Sequence, residues 1–121
     1  MKWASAWNFH CNLGVLALEE RDNVTALSHF NQCRKGPGLT SEQWNNFGIA
    51  LERAGQLSQA ELAYRTSLKG DPENIAALIN LAKRLESRGI RDEAKTLFTI
   101  AVKIDPGHPQ AIAGVLRTQS Y

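Results

Sequence analysis

The sequence predicts an all-α solenoid, in which pairs of helices repeat along the chain. Its first indication is alanine at Ala26, Ala60 and Ala94, spaced 34 residues apart. Its second is an aromatic residue four positions after each alanine, at Phe30, Tyr64 and Phe98. A single helix pair of this length cannot bury its own apolar face, so the copies are expected to stack and share a core.

The middle copy, residues 41–74, shows the plan most clearly. Its first helix is predicted by an apolar stripe at helical spacing, which consists of Trp44, Phe47, Gly48 and Leu51. Gly55 is expected to end this helix, because glycine adopts the left-handed conformation at little cost. Ser58 is a predicted N-cap for the second helix. Asp71-Pro72 is expected to end it, since a residue before proline is pushed out of the helical region.

The third copy, residues 75–108, repeats this plan with Gly89, an expected cap at Asp92 and an ending at Asp105-Pro106. The first copy, residues 7–40, is less regular and follows a predicted N-terminal lead-in, residues 1–6. It carries Arg21 in the glycine position, and Gly36-Pro37-Gly38 replaces the Asp-Pro ending. Terminal repeats are commonly atypical because one face meets solvent.

Residues 109–121 begin a fourth unit. Pro109 suits the first turn of a helix, and Ile112, Val115 and Leu116 form a predicted apolar stripe. The segment is either a capping helix that covers the third copy or a truncated fourth repeat.

This pattern resembles the tetratricopeptide repeat family, whose unit is a 34-residue helix–turn–helix. The resemblance covers residues 7–108 and implies a right-handed superhelix. The first copy departs from the family pattern at His10, Ala17 and Arg21. The middle copy matches at these signature positions: Trp44, Phe47, Gly48, Leu51, Gly55, Ala60, Tyr64, Ser67 and Pro72.

Composition excludes several classes of protein. The 121 residues contain 14 lysines and arginines against 12 aspartates and glutamates, a net charge of +2, with the signs interspersed. Such a surface does not indicate nucleic-acid binding, which needs clustered basic residues. The chain has no apolar run of the ~20 residues that a membrane helix needs and no secretory h-region, so we expect no membrane association and a cytoplasmic location.

No catalytic or metal-binding motif is present. His10, His29 and His108 lie far apart and lack metal-ligand spacing, and there is no phosphate loop or nucleophile elbow. We therefore expect no enzyme activity, no cofactor and no metal. Cys11 and Cys33 do not form a disulfide framework. Cys33 is expected to be a small buried thiol, with Cys11 at a position more open to solvent.

The most specific functional signal is a series of asparagines, Asn12, Asn46 and Asn80, again 34 residues apart. Asparagine is a mediocre helix former, so three in register need a reason. The resemblance places them on the first helix of each unit, near the concave surface, where similar asparagine ladders in some family members hold the backbone of an extended peptide. Given the usual distance between stacked first helices and the rise per residue of an extended peptide, three such asparagines would hold roughly seven peptide residues. The alternative is a structural role, in which the amides bond neighbouring helices.

The family's carboxylate clamp, which binds acidic C-termini of chaperones, needs lysine and arginine on this surface. No clamp position that requires a basic residue holds one, which argues against that ligand; the five positions fall on Cys11, Val15, Asn46, Ala76 and Asn80. Helical spacing around the asparagines gives the remaining groove candidates, which are Asn8, Cys11, Val15, Glu42, Asn45, Ile49, Arg53, Ile79, Lys83, Glu86 and Arg117.

The sequence thus predicts a noncatalytic protein-interaction module that binds an extended peptide or a partner helix in the concave groove. Two alternatives stay open. One is a scaffold that self-associates through its repeat ends or convex face, and the other is an accessory segment of a larger enzyme.

Overall fold

The structure is a computed structural model that describes residues 2–36 and 38–119, with side chains described from residue 8 onward. Helices account for all the regular secondary structure in these ranges. They are α1 (Lys2–Glu19), α2 (Asn23–Cys33), α3 (Ser41–Arg53), α4 (Leu57–Gly70), α5 (Ile75–Ser87), α6 (Arg91–Ile104) and α7 (Pro109–Gln119). The predicted all-α solenoid is confirmed. Residues 2–6, expected as a lead-in, belong to α1, while Met1, Pro37, Ser120 and Tyr121 lie outside the described residues.

Short turns pair the helices as α1–α2, α3–α4 and α5–α6, and α7 packs mainly on α6. One hydrophobic core runs through the pairs. The repeated alanines and aromatics form its centre, since none of the six is more than 1% exposed. Small residues on the first helix of a pair make room for these rings. A Cβ added at Gly48, for example, would lie 2.5 Å from Tyr64 Cε1.

The predicted helix ends are confirmed where the family pattern is followed. α3 ends at Arg53 and α5 at Ser87, and the glycines two residues later, Gly55 and Gly89, have φ of 80° and 79°. Asp71 and Asp105 are the C-caps of α4 and α6.

The predicted N-caps Ser58 and Asp92 are wrong. α4 begins at Leu57 after the N-cap Gln56, and α6 begins at Arg91 after Ile90, in both cases without a side-chain capping bond. The reason lies in the preceding turn. Gln56 N donates to Leu51 O at 2.9 Å, and Ile90 N donates to Leu85 O at 2.9 Å. Each helix therefore starts immediately after the turn closes.

The expectation of unpaired cysteines is also wrong. Cys11 and Cys33 form a disulfide with their Cα atoms 5.1 Å apart, and Cys11 is only 4% exposed. The two residues are 22 positions apart in the chain, but α1 and α2 fold back on each other and bring them together. His10 Nδ1 and His29 Nδ1 are 3.0 Å apart and join the same two helices.

Not every residue of the predicted apolar stripe of α7 faces the core. Ile112 and Leu116 are 38% and 61% exposed, and the buried face consists of Ala111, Gly114 and Thr118. The cause is the Phe98 ring of α6, which lies so close to Gly114 that a Cβ there would overlap it. Only a small residue fits at this point, so α7 is rotated from the predicted orientation.

Candidate peptide-binding groove

Two neighbouring cavities flank the N-terminal half of α3. The first, of about 440 Å³, lies between α1 and α3, and its lining residues are Cys11, Asn12, Val15, Thr40, Glu42, Gln43 and Asn46. The second, of about 470 Å³, lies between α3 and the start of α5, and its lining residues are Ser41, Glu42, Asn45, Asn46, Asp71, Asn74 and Ala76. Because Glu42 and Asn46 border both cavities, we treat the two as one surface, the α3 groove.

The three asparagines of the repeated series do not occupy equivalent surroundings. Asn12 is exposed and lines the first cavity, and Asn46 is half-buried and lines both. Asn80 lines neither, and its Nδ2 donates to Asn45 Oδ1 at 3.0 Å. Asn45 itself is buried. The first two positions therefore present an amide to the groove, and the third contributes to the packing of α5 against α3.

The remaining candidates divide between surface and core. Val15 lines the first cavity and Cys11 does so from within its disulfide. Ile79 is buried in the core, and Ile49 is half-buried and packs against that core. Arg53 Nη1 donates to Leu18 O at 3.0 Å and thereby ties α3 to the end of α1.

Apart from Glu42, the other charged candidates lie away from the α3 groove. Glu86 accepts two bonds of 3.0 Å from Arg117, which ties α5 to α7. This contact lowers the pKa of the Glu86 carboxyl. Asn8 and Lys83 are exposed and line neither cavity.

Sequence reasoning missed the residues that precede the first helices. Thr40 and Asn74 are the N-caps of α3 and α5, with side chains that accept from Gln43 N and Ala77 N at 3.1 Å each. They are 34 residues apart and line the groove. The same 34-residue spacing that revealed the asparagines could have identified them.

A hydrogen-bonded cluster fixes the floor of the second cavity. Ser67 is fully buried and donates to Ser41 O at 2.7 Å, and Asn74 Nδ2 donates to Ser41 Oγ at 2.9 Å. Because Asn74 also caps α5, the cluster joins α3, α4 and α5. The groove is therefore preformed at this point by satisfied polar groups.

The charge of the groove is negative. Among its lining residues only Glu42 and Asp71 are charged, and no lysine or arginine lines either cavity. One oxygen of Asp71 accepts from Glu73 N at 3.0 Å. Glu42 lies in the first turn of α3, where a negative charge interacts favourably with the helix dipole. No group of three or more potential metal ligands occurs among the described residues.

Comparison with known proteins establishes the fold. No family model matches the chain. The human protein O-mannosyl-transferase TMTC2 is 34% identical over 98 residues, which is 78% of this chain but only 12% of that protein. The Arabidopsis OM64 TPR domain superposes with a TM-score of 0.87 at 20% identity, covering 96% of both chains. The chain has the tetratricopeptide repeat fold.

One solved structure with the same fold contains a bound peptide. The second TPR domain of human RPAP3, solved with the HSP70 peptide SGPTIEEVD, superposes with a TM-score of 0.81 at 17% identity, covering 93% of both chains. That peptide is acidic at its C-terminus. Four of the five clamp positions inferred from the sequence line the α3 groove, and none of them is basic; they are Cys11, Val15, Asn46 and Ala76.

None of the helices in the described residues combines the length and the apolar composition that a membrane-spanning segment needs.

Proposed function

We propose that this chain is a noncatalytic interaction module that binds an extended peptide in the α3 groove. The observation that carries the proposal is the position of Asn46, at the border of two adjoining cavities. The fold supports it, since a structural neighbour is a peptide complex. The array of helices supplies a rigid support for such a groove.

Amide side chains suit this task because each donates and accepts, as a peptide backbone does. Asn12 and Asn46 would bond the backbone of the ligand, and the apolar side chain of Val15 would contact a ligand side chain between them. Asn80 is expected to hold α5 in place through Asn45 and to contribute indirectly. The structure-based proposal therefore has two asparagines in direct contact with the peptide, whereas the sequence indicated three.

Asn46→Ala tests the proposal. Peptides would first be selected from a random displayed library, and their affinities then measured by isothermal titration calorimetry. We expect Asn46→Ala to weaken binding about five- to tenfold, because one neutral hydrogen bond contributes about 1 kcal/mol. Asn31→Ala, which removes an exposed amide from α2, is the matched control and should bind normally. Equal affinities for wild type and Asn46→Ala would contradict the proposal.

The triple alanine variant of the series is a poorer test. Removing Asn80 leaves Asn45 Oδ1 buried without its partner, which costs about 1–3 kcal/mol of stability. A loss of binding in that variant would mix a folding defect with a lost contact.

A scaffold role is the second candidate, favoured by apolar side chains at both ends of the array. Phe9 and Leu16 are exposed on α1, and Ile112 and Leu116 are exposed on α7. Contact between opposite ends of two molecules would join copies head to tail. Sedimentation velocity over a wide concentration range tests this role, and a monomer throughout would contradict it.

The cytoplasmic location expected from the sequence stays a prediction, and the disulfide between Cys11 and Cys33 argues against it. Disulfides persist mainly in oxidising compartments. Because the chain spans only 12% of TMTC2, a role as an accessory segment of a larger enzyme also stays a proposal.

A further inference from the structure

We propose that the α3 groove selects peptides that carry a lysine or arginine side chain, seated beside Glu42, and disfavours acidic peptides. The inference rests on the proposed peptide-binding function and adds the chemical class of the ligand.

The α3 groove and the whole chain differ in the sign of their charge. The whole chain has a net charge of +2, yet the charged side chains that line the two cavities are the carboxylates Glu42 and Asp71. A concave surface lined by one sign of charge raises the local concentration of ligands of the opposite sign. The sign of the groove is therefore a local property and favours basic ligands.

The Glu42 carboxylate is available to a ligand. It is exposed. The ion pairs formed among the described side chains all lie elsewhere. They join Arg65 and Arg88 to Glu61, Arg65 to Glu93, and Arg117 to Glu86. The Glu42 carboxylate accepts none of the hydrogen bonds that fix the groove floor. A cation that approaches Glu42 would not have to displace a partner from the protein.

Acidic ligands can bind the free backbone amides at helix N-termini. Both helices that begin at the α3 groove are already capped. Thr40 and Gln43 form a reciprocal capping box at α3, and Asn74 accepts from Ala77 N at α5. A peptide carboxylate would thus face Glu42 and Asp71 with no basic side chain beside them.

The position of Glu42 relative to Asn46 favours contact with a side chain of the bound peptide. Glu42 and Asn46 are four residues apart on α3, so their side chains lie on one face, one turn apart. A ligand whose backbone bonds Asn46 would place a neighbouring side chain near Glu42. Lysine and arginine have the reach and the charge for this contact, and because the site is open to solvent its main effect is on selectivity.

Three synthetic peptide pools of equal length test the inference. The variable positions are random in all three, and the fixed charged positions hold only lysine, only glutamine or only glutamate. Fluorescence anisotropy would measure binding of each labelled pool to the full chain. We expect the lysine pool to bind best and the glutamate pool worst. Glu42→Gln should reduce the advantage of lysine over glutamine by about two- to fivefold, as expected for one exposed charge pair.

Asp92→Asn is the matched control. It also removes a carboxylate from the first turn of a helix, α6, but it lies outside the groove, so it should leave the lysine advantage unchanged. Equal binding of all pools, or a lysine advantage that survives Glu42→Gln, would overturn the inference. In either case a loss of binding in Asn46→Ala would still support the proposed function. Absence of binding by every pool and by every library-selected peptide would overturn both.

Discussion

Arg21 is the one described residue other than glycine with a positive φ, 61°. It occupies the position that Gly55 and Gly89 hold in the next two repeats. The left-handed conformation brings Cβ close to the following carbonyl oxygen and costs an ordinary residue roughly 1–2 kcal/mol. The first repeat therefore forms the same turn as the others at a higher cost.

Arg21→Gly should stabilise the chain. We expect the free energy of unfolding to rise by about 0.5–1 kcal/mol, since relief of the backbone cost is partly offset by the greater freedom of glycine in the unfolded chain. Urea denaturation followed by circular dichroism measures it. The reverse change, Gly55→Ala, should lower stability by about 1 kcal/mol, although a Cβ at Gly55 would meet no atom within 4 Å. If the Arg21→Gly variant were no more stable than wild type, Arg21 would not be strained.

Helix α7 covers the end of the third repeat through its small residues. Phe98 packs on Gly114, and Arg117 lies over the same ring, with its guanidinium carbon 5.7 Å from the ring centroid. Leu116 stands 34 residues after Ala82, in the series that begins with Gly14 and Gly48. Those small residues admit the aromatic ring of the second helix of their own pair. We infer that α7 is better suited to cap the array than to begin another standard pair.

Gly114→Ala tests the contact between α7 and α6. The added methyl group overlaps the Phe98 ring, so α7 must shift, and we expect a loss of about 1–3 kcal/mol of stability in urea denaturation. Gly70→Ala is the control, because a Cβ there meets only Ser41, at 3.6 Å. It should be neutral or slightly stabilising, as alanine is the better helix former. Equal stability of the two variants would exclude close packing at Gly114.

Ion pairs join successive repeats on the outside of the array. Arg65 of α4 donates to both oxygens of Glu93 of α6, at 2.7 and 3.2 Å, and this contact lowers the pKa of the Glu93 carboxyl. The pair is well exposed, so its contribution to stability is small. Stacking of the apolar faces, and not these bridges, holds the repeats together.

The sequence predicted the arrangement of helices because its information is periodic. The alanines and aromatics of the core recur at a fixed spacing, and a packing requirement that recurs leaves a readable pattern. The disulfide was missed because Cys11 and Cys33 occur in one repeat only, so no second copy reveals that they meet. The caps and the rotation of α7 depend on single hydrogen bonds and on one ring, Phe98.

For the same reason, the sequence predicted only part of the candidate groove. The amide series identified Asn12 and Asn46 as groove residues, and the spacing alone could not show that Asn80 bonds Asn45. Asp71 was read as a helix-ending residue, yet it also supplies charge to the second cavity. When one side chain has both a structural and a surface role, the sequence pattern that predicts the first role does not reveal the second.

The disulfide between α1 and α2 gives the array a direction of unfolding. Arrays of repeats open from their ends, and the atypical first repeat would be the weaker end without a crosslink. The bond closes a loop of about two dozen residues, which disfavours the open state of that repeat by about 3 kcal/mol. Opening should therefore begin at α7 while the bond is intact. We expect hydrogen exchange to be faster in α7 than in α2, and reduction to accelerate exchange in α2 about 100-fold. Unchanged exchange in α2 after reduction would show that stacking alone protects this end.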